Sequence, residues 1–148
     1  MFRSLKLLGV AALATVGLAS GVQAADDTRI AVAMPEAAAR NLRLEMVDNL
    51  RALAEIQSLL AAGKVAEAGP VAEKSLGIGA MGRHRSEPMD ARPGAHMPPE
   101  MHAIGVEGHR AASEFARVAA TGERDPALSA LTGIYNHCVA CHSIYRIR

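Results

Sequence analysis

Residues 138–142 read Cys-Val-Ala-Cys-His, and they contain both cysteines of a 148-residue chain. Two thiols three positions apart, with an imidazole directly after the second, suit covalent attachment of a haem. Each thiol adds to a vinyl group to make a thioether, and the imidazole becomes an axial ligand of the iron. On a helix Cys138, Cys141 and His142 emerge on one face, because residues three and four apart are neighbours there. A disulfide between the two cysteines fits one helical turn poorly and closes too small a loop to stabilise much. A zinc site needs four ligands, and the sequence has no second Cys pair or His-x-x-x-His to complete them. A thioredoxin-like redox pair belongs in a βαβ setting, whereas no strand pattern is legible here. The expectation is one covalent haem c on Cys138 and Cys141, with His142 as the proximal iron ligand.

The elements that must position this motif begin after residue 24. Arg3 and Lys6 form a positive start, Leu7 to Ala19 is apolar, and Val22-Gln23-Ala24 offers small residues for a cut before Ala25. That is the pattern of a cleaved secretory signal, with 25–148 as one domain in the periplasm. Loss of Arg3 and Lys6 from 16 basic residues, against 15 acidic ones, turns a formal charge of +1 into −1. Such a balance gives no electrostatic footprint for nucleic acid.

The domain reads as all-α. A first helix from Pro35 repeats Leu42, Met46, Leu53, Ile56 and Leu60 at spacings of three and four, interrupted by Asn49, and stops at Ala62-Gly63. A second segment, Lys64 to Leu76, is broken by Gly69-Pro70. A third helix begins near Pro98-Pro99 and sets Met101, Ile104, Gly108, Ala111, Phe115 and Val118 on one seam before Thr121-Gly122. A fourth starts with Asp125 as its cap and Pro126 as its first residue, with Leu128, Leu131, Tyr135, Cys138, His142 and Tyr145 on its seam. Four helices with mostly short links predict an antiparallel four-helix bundle, and Gly77 to Met97 forms an irregular crossover between the second and third.

Only Phe115, Tyr135 and Tyr145 are aromatic in residues 25–148, which is thin for such a core, and a porphyrin would supply the large flat group. Gly105 and Gly108 inside the third helix cost about 1 kcal/mol each relative to Ala. They fit close approach of either a haem plane or another helix backbone.

With its haem motif near the C-terminal end of a helical chain, the sequence resembles the class II cytochromes c, the cytochrome c′ family. The matching stretch is Cys138 to Arg146, including Tyr145 and Arg146 three and four after the histidine. The resemblance implies a four-helix bundle in which Tyr145 packs by the haem and Arg146 lies near the proximal imidazole. Read from the residues alone, Arg146 is equally a C-terminal arginine favouring the helix dipole, and Tyr145 a half-buried seam residue.

The family divides at the sixth iron position, which the first helix covers. A methionine ligand there gives an electron carrier, whereas an apolar cover leaves an open iron that takes NO or CO. Met46 is the candidate distal ligand, or else a flexible core filler. A family arginine four residues before the distal position would instead pair Arg43 with Val47, or Arg40 with Leu44, as apolar covers.

Outside the family pattern, Met81, His84, Met89, His96, Met97, Met101 and His102 crowd the crossover and the start of the third helix. Thioethers with imidazoles suit Cu(I), though such a loop is also read as surface. His96, His102 and His109 are outside candidates for a distal haem ligand, and His137 points away from the motif face into solvent. No nucleophile elbow, phosphate loop or carboxylate pair suggests an enzyme. The leading expectation is one-electron transfer between periplasmic redox partner proteins. The alternative is a gas-binding haem protein, and the family's homodimer through its first two helices is neither supported nor excluded by the sequence.

Overall fold

The computed structural model describes residues 26–148. The expected signal segment, 1–24 with its cut before Ala25, lies outside the described residues. The elements run β1 (Ile30–Val32), α1 (Glu36–Ala61), α2 (Val65–Leu76), α3 (Pro99–Ala119), α4 (Arg124–Ile144) and β2 (Tyr145–Ile147). The fold is all-α in character, with four helices and one short two-stranded ladder. None of the helices among the described residues is long and apolar enough to cross a membrane.

Proline and glycine set most helix ends. Pro35 and Pro98 stand in extended conformation immediately before α1 and α3, where the helix needs no N–H from them. After α1, Gly63 takes a φ of 75°, and the amides of Gly63 and Lys64 donate to the carbonyls of Leu60 and Leu59. Those two bonds satisfy carbonyls that the helix leaves unpaired and turn the chain into α2.

Two helix expectations are corrected. α2 continues through Gly69-Pro70 as one helix. Pro70 and Ala66 both face solvent, so water can satisfy the carbonyl that lost its partner to the proline. Gly69 is buried on the opposite side, where a Cβ would come within 2.9 Å of the Ala116 carbonyl oxygen, so glycine permits the close approach of α2 and α3. At α4 the flanking residue is Glu123, not Asp125. The Glu123 amide donates to Thr121 Oγ1, and Asp125 sits inside the first turn, where its charge complements the helix dipole.

The absence of strands is also corrected. β1 pairs in parallel with β2, Ile30 opposite Tyr145 and Val32 opposite Ile147. Tyr145 therefore ends the helix instead of extending its seam. Val32 and Tyr145 are the buried members of this ladder, and their apolar bodies hold it against the helices.

Contacts along α2 and α3 run in opposite order: Gly69 meets Ala116, Glu73 meets Ser113, and Leu76 meets His109. Between α3 and α4, Gly108 faces His137 and Ala111 faces Gly133. Gln57 on α1 donates 2.7 Å to the Tyr135 hydroxyl on α4.

Two apolar clusters form. The larger is centred on Phe115 and Ile56, both fully buried, with Leu53, Leu60, Leu131, Ile134 and many alanines. The smaller gathers Val32, Leu42, Met101 and Tyr145, with Met34, Met46, Met97 and Cys141 packed against them. On α4 the buried residues are Ala127, Leu131 and Ile134, so the seam runs one residue off the expected line and Leu128 is exposed.

Candidate functional site

A cavity of about 910 Å³ lies between the two clusters, with Ile134 and Leu76 of one and Leu42, Met101 and Tyr145 of the other in its walls. Its size is at the upper end of the range of about 300–1,000 Å³ for small-molecule and cofactor sites. Cys138, Cys141, His142, Met46, Tyr145 and Arg146, the six residues selected from the sequence, all line it. The helical spacing of the motif accounts for the first three. The seam of α1, whose neighbouring turn buries Leu42, accounts for Met46.

Both cysteines are free thiols, Cys138 exposed at the mouth and Cys141 half-buried. Partial burial raises both thiols above their ordinary value, and at Cys141 the neighbouring Cys138 adds to the rise. They are therefore mainly protonated near neutral pH. His142 is exposed at the rim, where its backbone carbonyl accepts from Arg29 Nη1 at 3.2 Å.

Several alternatives left by the sequence are resolved by placement. Leu44 and Val47, the alternative distal covers, are 57 % and 44 % exposed and line no part of the cavity. The α1 wall is instead Leu42, Arg43, Glu45, Met46 and Asn49. Neither Gly105 nor Gly108 meets another helix backbone: a Cβ on Gly105 would enter open space, and one on Gly108 would touch the His137 side chain at 3.5 Å. Both glycines widen the α3 wall of the cavity. Arg146 lies in β2 beyond the helix, so it does not act on the helix dipole. Its Nε is 3.3 Å from Asp27 Oδ2 in an ion pair.

His137 was expected in solvent, yet it is half-buried and lines the cavity. Its Nδ1 donates to the Gly133 carbonyl at 2.8 Å, which turns the ring back along the helix. His109 is held the same way, Nδ1 to the Leu76 carbonyl at 2.7 Å, and also lines the cavity. Spacing could not reveal either, because both bonds depend on where a helix carbonyl happens to be available.

The Met/His crossover is a folded wall of the site. Single 3₁₀ turns at Ile78–Ala80, Met89–Ala91 and Pro93–His96 shape it. Met81, His84, Met89, Met97, Met101 and His102 line the cavity, whereas His96 does not; its Nε2 lies 3.1 Å from the Met89 carbonyl. The wall is fastened to α1 by the ion pair of Arg83 with Glu45, Nε to Oε1 at 3.7 Å; His84 Nε2 lies 3.1 Å from the same oxygen but makes no hydrogen bond. Among the described residues, no three His, Cys, Asp or Glu side chains gather to hold a metal ion.

The lining is unequal in charge: six arginines (Arg29, Arg43, Arg83, Arg85, Arg92 and Arg146) surround it against a single carboxylate, Glu45. The arrangement can receive a broad apolar group with an anionic edge, offering two thiols for covalent attachment and several thioether or imidazole donors.

Asp27 closes one corner, bonded to Arg29 and ion-paired with Arg146. The Arg29 side-chain hydrogen bonds hold its carboxyl down from 3.8 to about 2, with the Arg29 amide and the charges of Arg29 and Arg146 adding. A lowered folded value means the clasp is fully present above about pH 4 and is lost as pH falls toward 2. A carbon NMR titration should therefore find the Asp27 midpoint near 2. A midpoint near the ordinary 3.8 would mean that the corner is open in solution.

Compared with known proteins, the chain matches no family model, no curated protein and no solved structure.

Proposed function

We propose that this chain is an exported c-type cytochrome of the class II kind, an antiparallel four-helix bundle carrying one covalent haem and passing single electrons between periplasmic proteins. The observation that carries the reading is the convergence of Cys138, Cys141, His142, Met46, Tyr145 and Arg146 on one cavity from three separate elements. The reversed order of contacts between α2 and α3, and between α3 and α4, supports the bundle.

The residues present fit the group. The free thiols supply both attachment points, the cavity walls include two leucines, three isoleucines and five methionines, and the arginine excess suits a carboxylate-bearing edge. When bound, the haem supplies a one-electron ferric/ferrous couple. Cys138 and Cys141 would hold it covalently, and the His142 imidazole would ligate its iron. Leu42, Met101, Ile134 and Tyr145 keep water from its faces, which favours the reduced, less charged state. Met46, half-buried and packed like Cys141 against the smaller cluster, would supply a thioether ligand to the iron. No nucleic acid or enzymatic turnover belongs to this reading. The partners are redox proteins, with a second copy of the chain as a further candidate.

The second reading is a gas-binding haem protein, which takes NO or CO at an open iron. Buried Leu42, one turn before Met46 on the same wall, and the open space beside Gly105 favour it.

Optical spectra of the protein matured with haem-attachment machinery separate the two. Low-spin bands that CO leaves unchanged, and that Met46→Leu converts to high-spin, support electron transfer. High-spin bands that shift with CO in the unmutated protein support gas binding and reduce Met46 to packing.

A further inference from the structure

Four of the six cavity arginines are already matched by carboxylates. Arg29 and Arg146 share Asp27, Arg43 lies near Glu36, and Arg83 reaches Glu45 and Asp48. Arg85 and Arg92 have no carboxylate partner among the described residues. Each spends only its Nε, on the backbone carbonyl of Gly82 at 3.2 Å and of Glu87 at 2.7 Å respectively. These bonds fix the guanidinium stems against the crossover and leave the terminal nitrogens of both forks free. A guanidinium fork so placed matches a carboxylate in a bidentate pair.

We infer that the crossover is the carboxylate clamp of the site, with Arg85 and Arg92 each taking one of the two propionates of the haem. The inference rests on the haem reading above. Its own support, apart from the cysteine motif, is that these two lining arginines have no carboxylate partner among the described residues. It also gives the crossover a task that a shorter link between α2 and α3 could not perform. Clamp and fastening are close in sequence: Arg83 ties the segment to Glu45 and Asp48, and Arg85 follows two residues later.

The test uses the matured holoprotein. Treatment with a water-soluble carbodiimide and a neutral amine converts accessible haem carboxylates to amides, read as the mass of the haem-bearing peptide containing 138–142. Clamped propionates should react about ten-fold more slowly than those of the Arg85→Gln/Arg92→Gln variant, the factor one charge-assisted hydrogen bond provides. Arg85→Lys/Arg92→Lys should regain part of the protection. Arg110→Gln, which removes a cation paired with Glu107 away from the cavity, should react like the unmutated protein. Equal rates in the unmutated protein and the double Gln variant would overturn the clamp and leave the haem reading intact. A peptide with no haem mass would overturn the haem reading itself.

Discussion

Replacing both Cys138 and Cys141 with alanine should abolish covalent haem and leave a bundle with a solvent-filled groove between its two apolar clusters. Only the thiols can make the thioethers, so acid extraction of the variant should remove all haem, whereas the unmutated protein should retain it. The stability change should be large. A porphyrin covering the apolar side chains of the cavity would contribute on the order of 5 kcal/mol of apolar burial. Without it, the smaller cluster of Val32, Leu42, Met101 and Tyr145 loses cover on its cavity side. Chemical denaturation followed by circular dichroism should give an early transition for this smaller cluster. If each single alanine variant kept a normal haem content after acid extraction, the assignment of the motif would be wrong.

The second large effect lies away from the cavity. Phe115→Ala should cost about 3–5 kcal/mol, because a fully buried aromatic side chain is removed from a site that cannot collapse. The inability to collapse follows from the neighbours. Ala68, Ala72, Ala112 and Ala119 have no side-chain length with which to fill the space, and α2 already touches α3 at Gly69. Urea denaturation at constant slope checks it, and a loss below about 1 kcal/mol would show that the helices close over the gap. Because Phe115 is absent from the cavity walls, the haem spectrum of the folded fraction should be unchanged.

Much of this was legible from the sequence where period and punctuation agree. The i, i+3, i+4 run from Leu42 to Leu60 places Met46 and Asn49 on the inner face. Gly63 marks the turn into α2, and Cys138, Cys141 and His142 fall on one side of α4. The failures have definite physical sources. Pro70 reads as a break because its cost is local, yet the solvent on its side and the tight α2/α3 contact behind Gly69 keep the helix whole. The seam of α4 was drawn through Leu128, when Ala127 is the buried residue: small side chains carry little weight in a periodicity but pack closely. The ladder between Ile30–Val32 and Tyr145–Ile147 escapes any local reading, since three-residue strands have no period of their own and the partner is distant in the chain. The clamp residues stayed invisible for a different reason. Which arginines lack a partner is decided by the carboxylates that happen to surround them.

That ladder also imposes an order of events on the making of the protein. Arg29 and His142 stand 113 positions apart, and β1 has nothing to pair with until residues 145–147 exist. Closing so long a loop carries an entropic cost that the helices, each packed against its sequence neighbour, do not meet. During synthesis, α1 to α3 can assemble while Tyr145 is still missing from the far wall. Cys138 and Cys141 of α4 are made before β2, so the groove stays ungated until the last strand arrives. The three-residue zipper is a final latch, set only once translation has passed the motif.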